Sequence, residues 1–345
     1  MVKLYVGLYV GSRLCHVVAI DGDGKAILDK GFATSEANLR EVFQGLRGEV
    51  HVHLEACDLA AWVRRVIKPL VNEVVVSHPK TNRWIAVDPR KNDRLDARKL
   101  ADLLRLGNVH AVYMTDDDDL LAFKQVVQMY DRLAQQATRL KIQVKARLRS
   151  QGLIATGEDV YSKLGRVEWL GQVRSAQVRD AIRILYQMLD QAEASQNQMT
   201  KLLRSMADGR VAVRRLETVP GVGLISACRF VAYVQDPNRF SSREKLWRYC
   251  GLAVTHKSSD GQPLTHPRLD RTSGNPRLKN MSRQVFLGAM RASEENMFQR
   301  LYHSAMAASQ KANHARLSVQ RKIVAVLRAL WKEDKDYMEN MGEVR

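Results

Sequence analysis

Two carboxylates three residues apart, Asp93 and Asp96, sit in the stretch KNDRLDARKLADLL at 91–104. Residues three apart share a face of a helix, so both acids point the same way. Asp93 also suits a helix start, where an acidic side chain caps free N–H groups and complements the helix dipole. Leu95, Leu100, Leu103 and Leu104 give that helix an apolar side to seat on a core. Lys91, Arg94, Arg98 and Lys99 keep the surroundings basic. Clustered acids in a basic setting suit a divalent metal working on a polyanion, because hard cations take oxygen ligands. A second reading is open here: a capped, solvated helix laced by i,i+3 and i,i+4 ion pairs.

A second chemical segment is THKSSDGQPLTHPRLDRTSGNPRLK at 255–279. It sets Ser258 and Ser259 among Lys257, Arg268, Arg271, Arg277 and Lys279. A serine beside cations either attacks a phosphodiester or donates a hydrogen bond to phosphate, and composition leaves both open. Upstream, Pro220-Gly221-Val222-Gly223 between apolar helical stretches is a helix-hairpin-helix signal. Gly221 and Gly223 let a backbone approach closely, and the next helix opens with outward N–H groups that suit a DNA phosphate. The same turn also serves as a plain helix–helix connection.

The elements that must hold these residues follow from pattern. Runs at 2–9 and 14–20, the second ending in DGDG, give a hairpin, and Lys25–Phe32 adds a third strand. A helix near 38–46, a strand at 50–54 ending at Glu55, a helix at 59–69 and a strand at 73–77 follow, giving a mixed α/β sheet. His110–Val112 reads as a further short strand. From Asp119 to Ser150 the pattern becomes one long helix ending in Arg139, Lys141, Lys145, Arg147 and Arg149. A second long helix spans 172–206, with Ile182, Leu185, Met188 and Leu189 as seam positions. The pair reads as an antiparallel coiled-coil arm, or as helices packed back on the sheet. The expected division is 1–115, 116–207 for the arm, and 208–345 for a mainly helical C-terminal domain.

Composition narrows the function. Fifty-five Lys plus Arg against 37 Asp plus Glu leave a net charge of +18, which favours a polyanionic partner. No long uncharged apolar run or signal-peptide pattern appears, so a membrane partner is not expected. Cys15, Cys57, Cys228 and Cys250 are scattered without a C-x-x-C pair, which argues against zinc or a disulfide framework and fits a reducing cytoplasm.

Taken together, the motifs YVGLYVGS (5–12), HLEAC (53–57), KNDRLDARKLADLL (91–104), TVPGVGLISA (218–227), YCGLAV (249–254), SSDG (258–261) and SGNPRLK (273–279) resemble the insertion-sequence 110 group of transposases. These are the RNA-guided bridge recombinases related to the Piv pilin-gene invertase. The resemblance covers nearly the whole chain and rests on the order and spacing of the motifs.

It implies a ribonuclease-H-like, RuvC-like N-terminal domain, a coiled-coil arm and a C-terminal domain with the helix-hairpin-helix. It further implies Mg²⁺ held by Glu55, Asp93 and Asp96, and Ser259, with Ser258 in reserve, as a nucleophile forming a covalent DNA link. A structured guide (bridge) RNA, donor and target DNA, and a homo-oligomer (dimer or tetramer) in a bacterial or archaeal, nucleoid-associated setting come with it. Gly221, Gly223, Lys257, Arg268, Arg271, Arg277, Lys279, Arg139, Lys141 and Lys145 are the candidate nucleic-acid contacts.

One position departs from the group: Tyr9 stands where the group has Asp. A neutral phenol is a poor ligand for a hard cation, so the site loses one of four acids. Asp21 and Asp23 follow the second strand, whose end lies beside the start of the first, at the wrong end of a strand about 20 Å long. Asp58 follows Glu55 closely, and nothing in the sequence places it in the site. Three readings follow: an active recombinase, a catalytically silent nucleic-acid-binding protein on the same scaffold, and a metal-dependent nuclease for branched DNA, against which the serine loop argues.

Overall fold

The computed structural model describes residues 2–79, 92–255, 258–259, 262–263, 268–269, 274–308 and 311–338, with backbone alone at 255, 258–259, 262–263 and 268–269. The chain divides into two compact units, Met1–Asp116 and Asp117–Arg345.

The first unit is built on a mixed five-stranded sheet. Strands β1 (Lys3–Val10), β2 (Leu14–Ile20) and β3 (Ala26–Ala33) form an antiparallel meander, and β4 (Glu49–Glu55) and β5 (Glu73–Ser77) run parallel to β1. The order is β3-β2-β1-β4-β5. Alternation along β1 decides which face each residue joins. Leu4, Val6 and Leu8 pack with Val50, Val52 and Leu54 of β4 under helices α1 (Glu36–Gly45) and α2 (Ala60–Ile67). Tyr5 and Tyr9 belong to the other face, where Ala97 and Ala101 of α3 (Asp93–Arg105) pack with Val18 and Ile20.

Gly7 is what lets α3 lie so close. A Cβ there would sit 1.9 Å from the Ala97 carbonyl oxygen and 2.6 Å from the Ala101 nitrogen. His53, fully buried on β4, fastens the same helix: its Nδ1 lies 2.8 Å from the Leu100 carbonyl oxygen and its Nε2 lies 2.8 Å from Ser77 Oγ. A carbonyl only accepts, so Nδ1 carries the proton and Nε2 accepts from the serine hydroxyl. Burial, the dominant cause, lowers the His53 pKa and keeps the ring neutral, with the bond to Leu100 opposing.

Two details of α3 differ from the sequence reading. Asn92 is the cap, accepting from the Arg94 amide at 3.0 Å, and Asp93 is the first helical residue. Leu95 is 42 % exposed, because the buried stripe runs through Ala97, Leu100, Ala101 and Leu103. The expected strand at His110–Val112 reduces to a single bridge between Ser77 and Ala111.

The second unit is mainly helical. Helices α4 (Asp118–Ser150) and α6 (Ala176–Asp208), 33 residues or about 50 Å each, flank the short α5 (Lys163–Gly171). Ala137 and Leu140 meet Leu189 and Ala192, while Val144 and Leu148 meet Ile182 and Tyr186, so the two long helices run antiparallel. Leu185 packs beside that seam, whereas Met188 is 46 % exposed and lies off it. At their other ends Leu120, Phe123, Val127, Leu203 and Ala207 join a core with α7 (Val211–Glu217), α8 (Leu224–Val234), α9 (Arg243–Tyr249), α10 (Pro276–Met290), α11 (Met297–Ala307) and α12 (Ala312–Glu333). Between α9 and α10 lie two-residue strands, β6 (Val254–Thr255) paired with β9 (Arg268–Leu269) and β7 (Ser258–Ser259) paired with β8 (Gln262–Pro263).

Candidate active site and nucleic-acid contacts

The parallel register of β1 and β4 pairs Leu8 with Leu54, so Tyr9 and Glu55 are the next residues at the same sheet end. Both occupy the alternate positions on the α3 side. Helix α3 brings Asp96 over that end, and Tyr9, Glu55 and Asp96 line one pocket of about 190 Å³ with Cys57 and Pro79. Two of the three predicted acids therefore meet, together with the residue that departs from the motif. Asp93 lies exposed one turn earlier on the same helix, near enough for its charge to act on the Tyr9 hydroxyl.

That phenol is held in its protonated form. Burial is the largest cause of its raised pKa, followed by the negative charges of Asp93 and Asp96. Asp21 and Asp23 lie past Ile20, which pairs with Tyr5 at the far end of β1 from Tyr9. The pocket admits Cys57 rather than Asp58. The flanking cations are partly committed to structure: Arg94 Nε donates to Asp29 at 2.6 Å, and Arg98 Nε to Asp102 at 2.9 Å.

Among the described residues, no group of three or more His, Cys, Asp and Glu side chains is placed to hold a metal. The donor set of the pocket is two carboxylates and a neutral phenol. That set fits one divalent ion of the Mg²⁺ type, which commonly takes one or two carboxylates and completes its shell with water and substrate phosphate. It falls short of a cage of four acids.

The other predicted contacts lie in the second unit. Gly221 adopts φ +81°, and a Cβ there would come within 2.4 Å of the Val285 oxygen and the Ala289 nitrogen of α10. Its closeness thus serves helix packing. Gly223, the N-cap of α8, is exposed, with nothing within 4 Å of a Cβ position. Lys141 pairs with Glu193 at 2.9 Å and Lys145 with Glu158 at 3.5 Å, both lying over the Tyr161 ring, so these two cations help close the end of the long-helix pair.

Arg277, in the first turn of α10, points to the buried Asp131, and Lys279 follows it on the same helix. Arg139 is exposed on α4. Lys257 and Arg271 lie outside the described residues, as do the side chains of Ser258, Ser259 and Arg268.

Sequence reasoning did not reach the polar network around Asp131. This residue is 2 % exposed and accepts from Arg229 Nε at 2.7 Å, the Tyr233 hydroxyl at 2.7 Å and Arg277 Nη1 at 3.2 Å. Its first two partners stand 98 and 102 residues along the chain, so no local spacing announces them.

A transposase family model matches residues 6–151, and a model of the transposase IS116/IS110/IS902 family matches residues 213–303. The chain is 25 % identical to the insertion element IS110 uncharacterized 43.6 kDa protein of Streptomyces coelicolor, over 99 % of this chain and 96 % of that protein. It is 28 % identical to the putative transposase y4qE of Sinorhizobium fredii, over 81 % and 70 % of the two chains. Identity to the transposase for insertion sequence element IS1328 of Yersinia enterocolitica is 24 %, over 74 % and 75 %.

Proposed function

From the premise that the chain is a transposase of the IS110 family, we propose that it cleaves and rejoins DNA strands of a mobile element under the guidance of a structured RNA. The observation that carries this reading is the meeting of Glu55 and Asp96 in one pocket at the ends of β1 and β4. A sheet-end carboxylate facing a helix-borne acid is suited to metal-assisted phosphodiester chemistry. In this reading Glu55 and Asp96 hold the divalent ion, and Asp93 supports them from the preceding turn. A metal bound there supplies charge neutralisation at the attacked phosphate and lowers the pKa of a bound hydroxyl.

The nucleophile is the Ser259 hydroxyl, with Ser258 as the reserve; its oxygen bonds to phosphorus as the P–O bond to one deoxyribose breaks, the serine proton passes on to the departing sugar oxygen, and a seryl–DNA link and a free sugar hydroxyl result. The net charge of +18 supports binding of guide RNA and of donor and target DNA. The working form is a homo-oligomer, and the paired helices α4 and α6 are the arm of the assembly. No helix of the described residues is long and apolar enough to cross a membrane.

A second reading is favoured by one observation, the protonated Tyr9 phenol that lines the pocket beside Glu55 and Asp96. A neutral phenol ligates a hard cation poorly, so the same scaffold would bind its nucleic acids without cutting them.

Purified protein with guide RNA, Mg²⁺ and labelled donor and target DNA separates the two. The first reading expects a covalent adduct with the wild-type chain, lost in Ser259→Ala and in Glu55→Gln. The second expects no adduct until Tyr9→Asp restores the acid. No adduct in either background, at any Mg²⁺ concentration, would overturn the cleavage function.

A further inference from the structure

A separate cavity of about 420 Å³ opens in the second unit, bounded by α4, α8 and the start of α10. Three guanidinium groups line it, Arg139, Arg229 and Arg277, with Gln135 and Asn280 beside them and Asp131 at its base. Asp131 orders two of these cations. Arg229 donates to Oδ1 through both Nε and Nη2 at 2.7 Å, and Arg277 Nη1 reaches Oδ2 at 3.2 Å. Tyr233 fills a further acceptor position on Oδ2 at 2.7 Å. One buried negative charge thus fixes two positive ones side by side, and Arg139 adds a third. Among the described residues no acid forms an ion pair with Arg139.

The balance of three cations against one anion leaves the cavity short of about two negative charges. Helix α10 adds the positive end of its dipole but few amides, since Pro276 has no N–H and the Arg277 and Leu278 amides are taken by Asn275 Oδ1. Recognition must therefore come from the side chains. Planar guanidinium forks held in fixed positions, with neutral amide side chains at the edge, match the tetrahedral oxygens of a phosphodiester.

We propose that this cavity is a docking site for a backbone phosphate of nucleic acid, organised by Asp131 and contacted by Arg139, Arg229 and Arg277. The ligand is the phosphodiester itself, so the site positions the strand and reads no sequence. The strongly basic chain favours nucleic acid over an acidic polypeptide as its source. The site is independent of the carboxylate pocket and stands whether or not that pocket cleaves.

The test uses the full-length protein and Arg139→Ala. Arg139 is exposed and ties no element down, so the folded state survives its loss, with an unchanged melting profile as the check. Binding is read by fluorescence anisotropy with a labelled DNA duplex and a labelled structured RNA over a salt series, and Arg40→Ala in the first unit serves as a control. Arg139→Ala should weaken binding roughly tenfold for every sequence tried and lower the salt slope by about one. Arg277→Ala, which leaves Asp131 paired with Arg229 and Tyr233, should do the same. The arm that responds, DNA or RNA, identifies the strand. Unchanged affinity and slope for both nucleic acids in both variants would overturn the proposal. So would loss of binding to a poly-glutamate probe alone, or an effect equalled by Arg40→Ala.

Discussion

Gly7→Ala tests how the carboxylate pocket is held together. The added Cβ would lie 1.9 Å from the Ala97 oxygen, where even the tightest tolerated approach is 3.0 Å, a deficit of 1.1 Å. Strand β1 is clamped between β2 and β4, so α3 is the element that moves. A retreat of about 1 Å stretches the 2.8 Å bond between His53 and the Leu100 carbonyl past the useful range and leaves buried polar atoms unpaired. Overpacking costs about 1–3 kcal/mol and the lost buried bond a further 1–3 kcal/mol, so a loss near 3 kcal/mol is expected. The same movement carries Asp96 away from Glu55. A 1 Å misplacement of a reacting group is worth about a hundredfold in rate, so DNA cleavage should fall by that order.

Hydrogen exchange at the β1 and β4 amides, followed through a urea series, localises the effect to the first unit, which a single melting temperature of a two-unit chain would not. Gly22→Ala is the control, because nothing lies within 4 Å of a Cβ there and the cost should stay within about 0.5 kcal/mol. Wild-type protection in Gly7→Ala would refute the account of how α3 is seated.

Two further outcomes follow. His53 titrates at a lower pH in the folded chain than in the unfolded one. The unfolded state then binds the extra proton, and stability of the first unit should be full above about pH 6.5 and fall as pH drops below it toward the folded pKa. Urea midpoints between pH 7.5 and 5.5 measure this, and His53→Gln should flatten the slope. Asp131→Asn removes the counter-charge shared by Arg229 and Arg277 and should destabilise the second unit by about 3 kcal/mol, the lower part of the buried-pair range because Arg277 is partly exposed; calorimetry that finds no change would contradict the role given to Asp131.

Much of the site's framework was legible along the chain. The turn signal at DGDG placed Asp21 and Asp23 at the wrong strand end, and i,i+3 spacing set Asp93 and Asp96 on one side of a helix. These are local properties, set by dihedral geometry within a few residues. Other readings stopped short for want of a partner. Met188 fitted a seam by spacing, yet the rotation of α6 against α4 turned it to solvent. The ion pairs of Lys141 with Glu193 and of Lys145 with Glu158, and their place over the Tyr161 ring, had no sequence signal either.

The sequence by itself determined the order of the elements, the basic excess and the presence of a phenol at position 9, because each depends only on residue type and near neighbours. Tertiary structure alone decided that Gly7 admits α3, that His53 fastens it, that Tyr9 shares a pocket with Glu55 and Asp96, and that Asp131 gathers arginines from two other helices. Those contacts join residues tens of positions apart, and their energies exist only once packing has excluded water from between them.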